Sequence, residues 1–377
     1  TGNVSGGDRV GGLLGYLNGA GTILGNCFSL GSVTAPGNKY VGGLLGCFNS
    51  GTIRYCYAAG IINGSGSYVG GLVGGGGIIT SCYYDAIASE YIPKKASDTG
   101  KLTSGMKAQA TYTGWEFSSV WAIDEGDSYP YLRNVEKPSK VNEGLPTGEV
   151  TSGNGTASNP YIVTTKEQFH SLRYDLTGNY ILGADIDLEG SEWEPVGIVA
   201  APFTGTFDGN GYTISNFVIN KPGMDYVGLF GYVNNTRISN LTLSDLTITG
   251  RQYTGGVAGC TAGTSTIQNC AVKGASSVTG TASVGGMVGQ AAGTVDRCSS
   301  EANVTLTGTG NYCGGLIGQS GANVSKSYVA GDVTSGGSYV GGLIGTIGTG
   351  SLNVTECYST GNVSGGDRVG GLLGYLN

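Results

Sequence analysis

Nine cysteines, one histidine and 26 Asp and Glu residues are the side chains of this 377-residue sequence that could carry covalent, metal or acid–base chemistry. Cysteine recurs in a phrase I-x-x-C, at Cys270, Cys298, Cys357, Cys27 and Cys56, with Leu241 and Ser327 standing at the same place and Cys82 closing the series. Leu and Ser replace Cys there without disturbing the spacing. That favours a ladder of small inward-facing side chains, because free Cys packs as a small hydrophobe. The sharper reading is disulfide stapling. Cys47 with Cys56, and Cys260 with Cys270, flank single turns at spacings of nine and ten residues and are the candidate pairs. An odd count of nine leaves at least one thiol unpaired or intermolecular. No C-x-x-C is accompanied by matching histidines, so a zinc site is not expected.

His170 is the single histidine, so neither a Ser–His pair nor an H-E-x-x-H zinc site can be assembled from these residues. Two carboxylate groups remain. Asp185 and Asp187 alternate onto one strand face, and Asp124, Glu125 and Asp127 sit together in IDEGD. Paired carboxylates can act on sugars without histidine, and oxygen-rich turns suit calcium. We assign neither cluster a catalytic role. The sequence is read as that of a non-enzymatic chain with no metal and no cofactor, calcium being the one weak candidate.

The elements that hold these residues are set by a short repeat. The phrase V-G-G-L-[LVI]-G starts at Val10, Val41 and Val69, then at Thr254, Val284, Cys313, Val340 and Val369, with a one-Gly relative at Val227. The steps are 31 and 28, then 27, 30, 29, 27 and 29 residues. Each coil holds about three short apolar segments divided by Gly, Asn and Ser turns, which is the pattern of a solenoid whose coils hydrogen-bond to one another. The fold expected is all-β, a right-handed β-solenoid with short helical caps. One cap helix is expected where Thr164-Thr165 precede Glu167-Gln168 as a capping box, with Phe169 and Leu172 on one face. Tyr40, Tyr68, Tyr226, Tyr253, Tyr312 and Tyr339 precede the anchor phrase, interrupted by Arg9 and Arg368. Such a column stabilises a sheet as stacked neighbours, and it is also a candidate aromatic track for sugar rings or a partner protein.

Composition excludes other classes. There are 73 Gly but only 9 Pro, 39% hydrophobic and 12% charged residues, enough to build a core and unlike a disordered tract. A net charge of −7 with scattered basic residues argues against nucleic acid. Gly interrupts every apolar run, so this window contains no membrane-spanning helix.

Residues 1–18 and 360–377 are the same eighteen letters, TGNVSGGDRVGGLLGYLN. The offset of 359 residues reads as one module of a tandem array, and the sequence as a window on a longer polypeptide. Partners expected are therefore copies of itself, joined covalently or docked head to tail.

The anchor and Cys phrases together resemble the Gly-Leu-rich GLUG repeats of bacterial surface proteins, including adhesin-like proteins and the stalks of immunoglobulin A proteases. GNGTASNPYIVTTKEQF at 153–169, YILGADIDLEGSEWEPVG at 180–197 and FTGTFDGNGYTISN at 203–216 resemble the opening of such a domain, and residues 100–132 resemble its close. The resemblance implies 1–81 as the C-terminal half of a solenoid, 82–135 as its C-terminal cap, 136–153 as an extended solvated joint, 154–222 as the next N-terminal cap, and 223–377 as the N-terminal half of the next solenoid. It implies an extracellular, cell-surface structural protein that acts as stalk, adhesin or filament. The main alternative is a module binding host or matrix glycans or proteins, and the distant one is a polysaccharide lyase or hydrolase built on a β-helix.

Overall fold

The computed structural model describes residues 2–35, 37, 40–64, 66, 68–94, 99–139, 149–150, 152–348 and 352–376. Much of the joint expected at 136–153, including Pro146, lies outside the described residues. Two compact units form: Thr1–Ile162 with Glu167–Gly178, and Val163–Lys166 with Asn179–Asn377. The division falls inside the segment read as a cap at 154–222.

The anchor phrases stack in register. In the first unit Val10 pairs with Val41 and Val41 with Val69, all in parallel. In the second, Val227, Thr254, Val284, Cys313, Val340 and Val369 form one parallel column. A second column runs Ile238, Ile267, Val295, Val324 and Val354, and a third Ile248, Val278, Val304, Val333 and Val363. The chain is thus all-β and a parallel β-solenoid, as the spacing requires. Among the described residues the helical segments are short, among them Thr103–Met106 and Lys166–His170 and the 3-10 turns Gln109–Thr111 and Ser171–Arg173. The expected cap helix is therefore a single turn, and Phe169 and Leu172 are fully buried as its periodicity demanded.

Packing explains both the apolar anchor and its glycines. Val41, Leu44, Leu45, Val284, Leu316, Ile317, Val340, Leu343 and Ile344 are all 0% exposed. Each such column buries one side chain per coil against like neighbours above and below, about 1.5–3 kcal/mol apiece. The second Gly of the anchor faces the opposite wall of a narrow lumen. A Cβ at Gly43 would lie 2.7 Å from the Ala58 methyl, at Gly286 2.2 Å from the Ser300 hydroxyl, and at Gly315 2.5 Å from Val329. Any larger residue would force the walls apart.

Corners are made by residues that bend left-handed. Asn26, Tyr55, Ser81, Asn240, Asn269, Arg297, Lys326 and Glu356, each just before the Cys position, all have φ between +49° and +55°. Asn tolerates this conformation and Tyr, Arg, Lys and Glu do not favour it, so there the coil geometry overrides local preference.

The first unit carries a sheath absent from the repeat pattern. Phe28, Tyr57 and Tyr83, the residues after Cys27, Cys56 and Cys82, lie in register. Met106, Tyr112, Trp115, Trp121 and Tyr129 pack over them as a second core. The Trp121 indole N–H donates to Asn26 Oδ1 at 3.2 Å and the Trp115 indole N–H to the Ser81 carbonyl at 2.9 Å, so the sheath grips two of the left-handed corners.

Candidate functional site

The repeat places the candidate tyrosines in pairs on successive coils. Tyr40 and Tyr68 stack with ring centroids 4.4 Å apart and Tyr226 and Tyr253 at 4.8 Å, while Tyr312 and Tyr339 lie tilted to one another at 5.3 Å. Ser283 holds the position between the last two pairs. Tyr68 is 48% exposed and the others are half-buried, so each pair offers an edge or face to solvent while bracing the sheet. Arginine extends the stacks. The Arg9 guanidinium lies 5.9 Å from the Tyr40 centroid, and that of Arg368 4.9 Å from Tyr339.

The cysteine column is an inward ladder of thiols. Cys56, Cys82, Cys270 and Cys298 are at most 1% exposed, and Ser327 takes the same place. Each thiol donates to the carbonyl two residues back, Cys56 to Arg54 at 3.2 Å and Cys298 to Asp296 at 3.4 Å. All nine cysteines are free. The pairings of Cys47 with Cys56 and Cys260 with Cys270 are not formed. Cys47 lies inside the strand Leu45–Arg54 and Cys56 beyond its far end, a separation far greater than the ~7 Å between Cα atoms that a disulfide bridges. Cys260 and Cys270 likewise sit at opposite ends of one pass, in Ala258–Ala262 and beyond Thr266–Gln268. Burial pushes the Cys260 and Cys313 thiols up to about 12. At Cys56 the hydrogen bond with Cys27 lowers the value, but the one with Cys82 and burial outweigh it and leave it at about 12. Thiols held protonated are poor nucleophiles.

The carboxylate clusters are used by the backbone. Asp185 accepts the Thr213 N–H at 2.7 Å, and Asp187 accepts the Glu189 N–H at 2.7 Å and the Asn216 amide at 3.0 Å. Asp124 pairs with Lys137 and accepts the Tyr131 hydroxyl at 3.1 Å, while Glu125 accepts the Gln109 N–H at 3.0 Å. Among the described residues, no three His, Cys, Asp or Glu side chains converge as metal ligands.

One site has no signal in the sequence. Asp85 and Glu149, 0% and 4% exposed, are buried in the first unit with the Thr103 hydroxyl against both carboxyls. Asp85 accepts the Tyr129 hydroxyl at 2.7 Å and the Ala88 N–H at 2.7 Å; Glu149 accepts the Ser104 N–H at 2.7 Å and its hydroxyl at 3.1 Å. Burial, then the Asp85 charge, raises Glu149 to about 7, against the lowering by Ser104. Val150 beside it is 0% exposed. This stretch of the expected joint is therefore packed into the cap and not solvated. No motif marks the pair, because its members lie far apart in the sequence and meet only through the fold.

Comparison with known proteins bears on what this frame belongs to. Residues 157–274 match the family model described as the N-terminal region of the M26 IgA1-specific metallo-endopeptidase. Halomucin of Haloquadratum walsbyi is 31% identical over 307 residues, which is 76% of this chain and 3% of halomucin. An immunoglobulin A1 protease of Streptococcus sanguinis is 30% identical over 226 residues, 55% of this chain and 12% of that protein. The chain thus spans a small part of the curated relatives it matches. The crystal structure of a candidate immunoglobulin A1 protease from Bacteroides ovatus matches with a TM-score of 0.50 at 26% identity, over 60% of this chain and 76% of that one. The expectation of a non-enzymatic chain is corrected by these matches, which point towards a protease: the family model fitted by residues 157–274 describes part of a metallo-endopeptidase, and a relative is named as a protease. The relatives indicate a surface-associated protein similar to the immunoglobulin A1 proteases.

Proposed function

We propose that this chain is the stalk-forming solenoid of an extracellular surface protein, the stretch that displays an adhesive or proteolytic segment carried elsewhere in the polypeptide. The observation that carries the reading is the uninterrupted parallel register from Val227 to Val369, in which each coil is the template for the next. A structure that extends by adding coils suits reach, because length grows by ~4.8 Å per coil without a new core having to be designed. The likeness to the N-terminal region of an immunoglobulin A1-specific metallo-endopeptidase supports the proteolytic form of the stalk. Brief protease treatment of intact cells that make the protein tests the proposal. Release of peptides from residues 179–376 is expected, and their protection until the cells are lysed would refute it.

A second reading rests on the stacked tyrosines. Tyr40 and Tyr68 form an accessible aromatic face suited to the apolar face of a sugar ring. Under this reading a glycan array gives hits that Tyr68→Ala abolishes, and binding that survives the substitution would place the ligand elsewhere.

A further inference from the structure

Cys270 and Cys298 stand 28 residues apart in the chain but side by side in the fold. The pairs that flank them, Gln268 with Asp296 and Ala271 with Ser299, are both in parallel register, so the two cysteines lie directly opposite one another on adjacent coils. Adjacent strands are ~4.8 Å apart, which falls inside the ~4.4–6.8 Å between Cα atoms that a disulfide spans. The sulfurs converge as well. Cys270 donates to the Gln268 carbonyl at 3.3 Å, and Cys298 reaches back across the coil boundary to the Ile267 carbonyl at 3.5 Å. Two thiols from two coils thus sit on consecutive carbonyls of one coil. Burial, then the Cys270 thiol itself, pushes that of Cys298 well above its ordinary value.

Their neighbours leave each of them one partner. On the coil before Cys270 the ladder position is Leu241, and on the coil after Cys298 it is Ser327, neither of which forms a disulfide. Cys313 belongs to a different column, between Val284 and Val340. In the first unit Cys27 and Cys56 repeat the arrangement, on the Gly25 carbonyl at 3.2 Å and the Leu24 carbonyl at 3.7 Å. There Cys56 has a second neighbour in Cys82 on the following coil, so the pairing is not unique.

We propose that Cys270 and Cys298 are a redox modification site, a staple between adjacent coils that closes by exchange with an external small-molecule disulfide. One cysteine, as its thiolate, attacks the external disulfide and forms a mixed disulfide, releasing one thiol; the other cysteine then attacks the mixed disulfide and releases the second. The Sγ–Sγ bond forms, the two cysteines lose two electrons and two protons, and the external disulfide takes up both to become two thiols. The described structure, in which all nine cysteines are free, is the reduced state. Buried, protonated thiols react slowly, so the bond closes as the coils dock in folding or when they open transiently. Surface-associated relatives place the site where disulfides persist, because the exterior of the cell is oxidising. The closed bond ties one coil covalently to the next. The inference rests on the register of the two thiols and stands whether or not the protein is a stalk.

Oxidised glutathione is the probe. The reduced full chain is incubated with it in urea below the unfolding transition, and in a second arm is refolded from denaturant in its presence, so that slow reaction of buried thiols does not mask the bond. Each sample is quenched with acid, alkylated and mapped without reduction. The expected product is one major link joining Cys270 to Cys298, with no glutathione retained at either. Cys298→Ser is expected to abolish the link and leave Cys270 as a free thiol or a glutathione adduct. Ser327→Cys adds a thiol to the ladder, and the link from Cys298 is then expected to divide between Cys270 and position 327. Recovery of Cys270 and Cys298 as free thiols or separate adducts in both arms, or links from them to other cysteines as frequent as the link between them, would overturn the proposal.

Discussion

At the scale of single residues, Glu149 makes the sharpest prediction. Its carboxyl is raised from 4.5 to about 7 in the folded chain, so the native state holds a proton that the unfolded state releases. Stability is then greatest below about pH 4.5, falls as pH rises towards 7, and is level above it. The loss is on the order of 3 kcal/mol at 1.36 kcal/mol per pKa unit. Glu149→Gln should remove this slope, because a neutral amide can still accept the Ser104 N–H. Chemical denaturation from pH 4 to 9 reads the difference, and parallel profiles for both proteins would show that the carboxyl does not titrate in the cap. The thiols give a second prediction. Native alkylation should modify Cys47 and, more slowly, Cys27 and Cys357, which are partly exposed, and leave the six buried cysteines for the denatured chain. Non-reducing peptide maps should show no link between Cys47 and Cys56 or between Cys260 and Cys270. The inward cysteine ladder was legible in the sequence because Leu241 and Ser327 revealed what the position asks for. The Asp85–Glu149 pair was not, since neither residue belongs to a repeating phrase.

At the scale of the coil, spacing was enough to read the anchor, its parallel neighbours and the buried face, because a period near 29 residues leaves few ways to bury Val and Leu columns. The corners were not legible. Lys326 and Glu356 sit left-handed only because neighbouring coils hold them so. Nor was the aromatic sheath, whose tryptophans come from residues with no repeat counterpart; its role emerges only once Phe28, Tyr57 and Tyr83 are seen in register. Val340 tests the coil directly. It is 0% exposed between Cys313 and Val369, so Val340→Asp buries a charge with no partner and should cost more than about 4 kcal/mol or prevent folding. Val199→Asp, at a site 54% exposed, is the control and should change stability by less than about 0.5 kcal/mol. Equal melting temperatures for the two variants would show that the Val column does not face the core.

At the scale of the molecule, the second unit is a stack of coils joined mainly to their neighbours, and this modularity is what a surface stalk would use. Cooperative units in such a stack are single coils or small groups of them. Single-molecule pulling on the full chain examines this most directly. Each coil of 27–31 residues that peels away should lengthen the tether by about 95 Å, or a small multiple of it, from ~3.4 Å per extended residue less one strand spacing. A ladder of such steps from residues 179–376 is the expected record. A single rip releasing that whole length at once, with no intermediate stops, would contradict a coil-by-coil solenoid.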